Sequence, residues 1–300
     1  MRVSTTWSHQ LSVDAMLNQQ SKLNETQLKL SSGKKYLTPS ENTRAATNLI
    51  DLQQNIKENQ QYQVNIGSAR QRLDLEESGL SNATDVLQRI RELAVQGLNG
   101  GNTLANRQQI AEEVDQLNEQ LLSIANTQNA NGEFLFSGYA SDKRAFTSMP
   151  VYAYQGDNNQ RRIAIGPDRQ ITDGDPGEQV FGIISGSTTP GSISNVFEAV
   201  AQLSSDLKAD APDTGSLADL DQAMERFINT RASVGARLRA LDDQENLNAD
   251  YILDNQATAS DIGDLDYAAA ISKFNLQQIS LQAAQQAYTK VQGLSLFNYI

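Results

Sequence analysis

The sequence predicts a mainly α-helical protein, in which long N- and C-terminal segments form an antiparallel, coiled-coil-like rod with a small inserted β domain. Three observations support this fold class. Apolar residues in both halves of the chain recur at the alternating spacing of one helix face. Four of the six prolines lie between Pro150 and Pro190, which indicates a turn-rich centre. The flanks of this centre hold long proline-free stretches, which permit long helices because no backbone donor is lost.

The rod helices are predicted from three apolar stripes. These are Leu80, Ala83, Leu87, Ile90 and Ala94; then Ile110, Val114, Leu117, Leu121 and Ile124; and finally Leu217, Leu220, Met224, Phe227, Val234, Leu238 and Leu241. Thr103 follows an Asn-Gly-Gly turn and is suited to cap the second helix. Ser216 and Asp219 predict a capping box at the start of the third helix.

The central segment predicts short strands and turns. Residues 151–154 and 162–165 resemble two strands joined by a polar loop. The acidic run at residues 173–178 lacks the spacing of a calcium-binding loop and suits a turn. We therefore expect terminal assembly helices at residues 1–44 and 262–300, a helical rod at residues 45–138 and 192–261, and a small β-rich insert at residues 139–191.

Both ends of the chain carry thin apolar stripes that amides interrupt, with Gln20, Gln27 and Gln278 at seam positions. An amide in a seam specifies helix pairing at a cost in stability, and single helices of this kind are marginal in water. We therefore predict that the ends order by pairing with each other and with other copies. The predicted assembly interface, which includes an apolar C-terminal tail, comprises Val13, Met16, Leu23, Leu30, Ile271, Phe274, Leu281, Tyr288, Val291, Leu296, Phe297 and Ile300.

The composition argues against most catalytic chemistry. With no cysteine and His9 as the one histidine, thiolate chemistry and a His-ligated zinc site lack their residues. The net charge of −12 disfavours binding to nucleic acid, whose phosphates are negative. No apolar segment approaches the length that is needed to span a membrane. Residues 1–20 lack the apolar core of a cleavable signal. We expect no enzyme activity, no cofactor, no metal, and no binding to nucleic acid or membrane.

Several segments resemble the family of bacterial flagellins and hook-associated proteins. The start MRVST, with LSSGKK at residues 30–35 and PSEN at residues 39–42, is similar to the family's N-terminal region. NGEFLFSGY at residues 131–139 resembles the segment that leaves the inner rod. The tail VQGLSLFNYI at residues 291–300 resembles that of the hook–filament junction members. The resemblance covers about residues 1–140 and 215–300, and the insert lies outside it.

This resemblance implies a structural subunit of the bacterial flagellum, located outside the cell between the hook and the filament. It implies export by the flagellar type III apparatus with an export chaperone. The implied assembly partners are hook-associated protein 1, flagellin and copies of the chain itself. Two alternatives stay open: a short flagellin that polymerises into long filaments, and a cytosolic coiled-coil adaptor or chaperone with ordered, protected ends.

Overall fold

The computed structural model describes residues 5–149, 151–183, 193–211 and 213–297, with side chains given for residue 7 and, within these ranges, from residue 9 to residue 290. The elements in chain order are α1 (Thr5–Ser32), α2 (Thr43–Gly97), α3 (Leu104–Ala125), β1 (Arg162–Gly166), β2 (Arg169–Thr172), α4 (Gly177–Phe181), α5 (Val196–Lys208), α6 (Gly215–Gly263) and α7 (Tyr267–Phe297). Long helices with one small two-stranded sheet among the described residues confirm the predicted fold class.

The chain divides into two compact units. The first comprises the described residues up to Glu58 and from Asp250 onward, and the second runs from Asn59 to Ala249. Both boundaries fall inside long helices, α2 and α6. The expected division at residues 44 and 262 lies close to the breaks between α1 and α2 and between α6 and α7. As a division into domains it stays a prediction, as does the separate insert domain at residues 139–191.

In the second unit, α2 and α6 lie antiparallel. Arg70 Nη2 contacts Asp242 Oδ1 at 2.6 Å, and Arg91 Nε contacts Asp221 Oδ1 at 2.6 Å, so residue numbers rise along α2 as they fall along α6. Every member of the predicted stripe at Leu80–Ala94 is fully buried. The helices are therefore held by an apolar seam, with ion pairs at its exposed margins.

The two predicted helix starts differ in outcome. Thr103 caps α3, because its side chain accepts a hydrogen bond from the backbone N–H of Asn106 at 3.3 Å, as predicted. The capping box at Ser216 is wrong, since α6 already begins at Gly215 and Ser216 is buried inside it. The carboxylate of Asp213 accepts the N–H of Gly215 at 3.1 Å, and the helix therefore starts earlier than predicted.

The central segment forms a hairpin, although with a different partner from the one predicted. The strand at residues 162–165 is confirmed as β1, but it pairs antiparallel with β2, with Ile163 opposite Ile171. The predicted partner, residues 151–154, makes only an isolated bridge between Tyr154 and Phe146. The closer partner forms because residues 167 and 168 close a short connection between β1 and β2.

The insert shares its core with the helices of the second unit. The ring centroids of Phe136 and Phe181 lie 5.1 Å apart, and those of Phe146 and Phe197 lie 4.9 Å apart. Phe181 also contacts Phe227 of α6 at 5.3 Å. These rings belong to one continuous cluster of buried residues. Aromatic packing therefore fixes the central segment against α5 and α6.

Candidate assembly surface

In the first unit, α1 and α7 pack against each other as a pair. Their seam is thin, because Thr26, Ala270 and Gln277 are its only buried residues within the described side chains of the two helices. The remaining seam positions are half-buried. Such a pair gains little free energy from apolar burial, so the two helices depend on each other and on further contacts.

Most of the predicted interface residues with described side chains lie along this seam. Val13, Met16, Leu23 and Leu30 on α1, and Phe274, Leu281 and Tyr288 on α7, are all half-buried. Ile271 differs: it is 49% exposed, and the neighbouring Ala270 occupies the buried position. The side chains of Val291, Leu296 and Phe297 lie outside the described residues, as does Ile300. Whether these residues form an assembly interface stays a prediction.

The polar seam positions are shifted by one residue from those predicted. Gln20, Gln27 and Gln278 are exposed, whereas Thr26 and Gln277 are buried. The observed seam keeps the seven-residue repeat, with positions 16, 23 and 30 and positions 19 and 26 on α1. The prediction placed the second of these sets one residue too late, at Gln20 and Gln27. The hydroxyl of Thr26 is satisfied by donating to the carbonyl of Lys22 at 3.0 Å.

His9 joins the ends of the two helices. Its Nδ1 lies 2.8 Å from the Tyr288 hydroxyl, and the two rings meet edge to face with centroids 4.8 Å apart. Both residues belong to the first unit. The single histidine therefore has a structural partner across the helix pair.

The breaks between helices are tied together by backbone hydrogen bonds. The N–H of Lys35 donates to the carbonyl of Gly263 at 2.8 Å, and the N–H of Leu265 donates to the carbonyl of Gly33 at 2.9 Å. Gly33 has a positive φ of 69°, and a Cβ there would lie 2.8 Å from the Tyr267 hydroxyl. The glycine of the LSSGKK segment is thus favoured by its backbone conformation, whereas the exposed Tyr267 side chain could move aside for a Cβ.

The helix pair also exposes apolar side chains on the sides away from its seam. On α1 these are Trp7, Leu11, Leu17 and Leu28. On α7, Leu276 is 69% exposed and Ile279 is 66% exposed. At about 100° per residue, Leu276 and Ile279 point away from Ala270 and Gln277, which face α1. A second apolar face on each terminal helix favours packing against other chains.

The described part of the chain offers little else as a functional site. None of its histidines and acids form a group of three or more that could hold a metal ion. Within the same residues, no helix is long and apolar enough to cross a membrane.

Comparison with known proteins shows the family to which the chain is similar. The model of the bacterial flagellin N-terminal helical region matches residues 3–141, and that of the C-terminal helical region matches residues 217–300. A putative flagellar hook-associated protein from Vibrio parahaemolyticus shares the fold, with a TM-score of 0.68 and 22% identity over 75% of this chain and all of that one. The fold and the matched regions define a flagellin-type structural subunit.

Individual relatives show which kind of flagellin-type subunit the chain resembles. Flagellar hook-associated protein 3 of Escherichia coli (strain K12) is 31% identical over 99% of both chains. The flagellin of Listeria innocua serovar 6a is 28% identical but covers 74% of this chain. The chain belongs to the family of flagellar hook-associated protein 3, a family of structural flagellar components. The end-to-end match favours this assignment over a filament flagellin and over a coiled-coil adaptor.

Proposed function

We propose that the chain is the subunit that joins the flagellar hook to the flagellin filament. Its role is mechanical: it binds hook-associated protein 1 on one side, flagellin on the other, and copies of itself around the ring. It acts outside the cell after type III export with a chaperone, and it catalyses no reaction. The end-to-end likeness to flagellar hook-associated protein 3 carries this proposal.

The exposed apolar face of the terminal helices supports the same role. The seam between α1 and α7 buries little, yet Leu276 and Ile279 are largely exposed in the single chain. Covering one such side chain stabilises a contact by about 1.5–3 kcal/mol. Neighbouring subunits would supply that cover. The terminal interface predicted from the sequence, Val13 to Leu30 on α1 and Ile271 to Ile300 at the other end, is the surface we propose for these contacts.

Localisation tests the proposal directly. We expect a fluorescently labelled chain to form a single spot at the base of each filament, where the hook ends. Cells that lack the chain should retain hooks and release flagellin into the medium. Label spread along the whole filament would instead identify a filament flagellin, and label confined to the cytoplasm would identify an adaptor or chaperone.

A further inference from the structure

A cluster of buried charges joins the central hairpin to α2 and α6 within the second unit. We call it the carboxyl cluster. Its bases are Arg72, Arg161 and Arg237, and its acids are Glu76, Glu133, Asp173 and Asp175. Glu76 and Asp173 are almost fully buried, with 2% and 1% exposure. Four carboxyl groups therefore share three guanidinium groups, with Arg161 and Glu133 at the exposed edge of the cluster and the other five groups largely shielded from water.

Three of the four acids have a guanidinium partner. Arg72 Nη1 donates to Glu133 Oε2 at 3.2 Å, and Arg161 Nε donates to Asp173 Oδ2 at 2.8 Å. Arg237 donates to Asp175 Oδ2 and also to the carbonyl of Thr172 at 3.3 Å. In these three pairs each guanidinium charge is balanced by one carboxylate charge.

Glu76 is the acid left over. Its Oε1 accepts the backbone N–H of Asp175 at 3.3 Å, and its Oε2 has no hydrogen-bond partner among the described residues. The groups that surround it come from three elements: Arg72 on α2, Arg237 on α6, and Asp173 and Asp175 after β2. Each of the two guanidinium groups already pairs with another acid, although Arg72 Nε itself makes no hydrogen bond among the described residues. A charged Glu76 would therefore place a fourth buried negative charge beside three positive charges, without a guanidinium group of its own.

We infer that Glu76 holds a proton at neutral pH, and that the carboxyl cluster is a proton-dependent clamp that fixes residues 173–177 against α2 and α6. In the protonated state three acids balance three bases, and the neutral carboxyl of Glu76 hydrogen-bonds with Asp175. In the ionised state Glu76 repels Asp175 and competes for Arg237. The clamp therefore loosens as pH rises.

The pKa of Glu76 agrees with this assignment. Burial raises it from its ordinary value of 4.5 to about 8, with Asp175 adding to the rise and Arg237 opposing it. Between these two values the folded chain keeps a proton that the unfolded chain releases. The contribution of Glu76 to stability is therefore full below pH 4.5 and is lost as pH rises through about 8.

The test compares the full chain with Glu76→Gln by urea unfolding from mildly acidic to alkaline pH. We expect the unfolding constant of the original chain to rise relative to that of E76Q by up to about tenfold per pH unit between the two pKa values. The exposed Glu225→Gln serves as the matched control, and its ratio to the original chain should stay constant. A constant ratio for E76Q as well would overturn the inference.

A second measurement needs no variant. In the full chain labelled with ¹³C at glutamate carboxyl groups, one resonance should keep the shift of a protonated acid at pH 6.5 and titrate near pH 8. Hydrogen exchange at the amide of Asp175 should accelerate in step, beyond the intrinsic effect of base. If all glutamates are ionised at pH 6.5, the clamp does not exist as described.

Discussion

At the scale of single residues, the segment NGEFLFSGY combines buried apolar side chains with a glycine at a tight turn. Its apolar residues, Phe134 to Phe136, are buried in the core of the second unit. Gly138 follows them with a positive φ of 65°, and a Cβ at this position would lie 2.3 Å from the carbonyl oxygen of Asp157. The glycine thus lets the chain turn while another backbone segment passes against it.

We expect Gly138→Ala to lower the free energy of unfolding by more than about 2 kcal/mol, because the substitution adds both a strained backbone and a steric overlap. Urea denaturation measures the change. Gly235→Ala is the control, since Gly235 lies inside α6 with nothing within 4 Å of its position for a Cβ. That variant should be more stable by about 0.5–1 kcal/mol, because alanine favours the helix. Equal effects at the two positions would contradict this account of Gly138.

At the scale of elements, helical periodicity is the reliable signal in the sequence. The stripe of α2 is buried as predicted, because one face of a helix can be identified without knowing its partner. The hairpin partner of β1 could not be identified in this way. Residues 151–154 and 169–172 both lie near β1 in the chain, and β1 pairs with the segment to which a two-residue turn joins it.

The outward face of α7 exposes apolar side chains that α1 does not cover in the single chain. We expect the double variant Leu276→Gln with Ile279→Gln to keep the helix content and stability of the single chain, since both side chains are largely exposed and glutamine suits a helix. Incorporation into flagella should fall by about tenfold or more, because two apolar contacts with neighbouring chains are lost. Circular dichroism and immunoblots of purified flagella measure the two effects.

Leu281→Gln is the comparison variant at a seam position, and it is read out by stability. Leu281 is half-buried on the α1 side of the same helix. This change should reduce the stability of the α1–α7 pair in the single chain. If the double variant at the outward positions assembles at the original level, the outward face is not an assembly surface.

At the scale of the whole molecule, the sequence predicts the helical architecture and the family more securely than the site. The absence of cysteine, the single histidine and the long helical flanks are typical of a structural subunit. The exact residues buried between α1 and α7 are harder to predict from the sequence. Thr26 and Gln277 are buried although their types are usually exposed, and only the packing of α1 on α7 selects them over Gln27 and Gln278. The exposure of Leu276 likewise depends on which helix face meets α1.

A junction subunit and a filament subunit differ in how far they polymerise. We expect the purified chain, added to isolated hooks that carry hook-associated protein 1, to add a short layer and then stop until flagellin is supplied. Electron microscopy measures the added length, and flagellin added alone to the completed layer is the control for growth. Long homopolymers of the purified chain would contradict the junction role.

The contact between His9 and Tyr288 has a consequence for the order of folding. These residues are 279 positions apart in the chain, whereas Gln63 and Glu245, joined by a hydrogen bond in the second unit, are 182 apart. The entropy lost on closing a loop grows with its length, so the inner contact shortens the loop that the outer one must close. We therefore expect the terminal pair to close after the inner contact has formed. In that interval the two terminal segments of a newly arrived chain would be free to engage their neighbours.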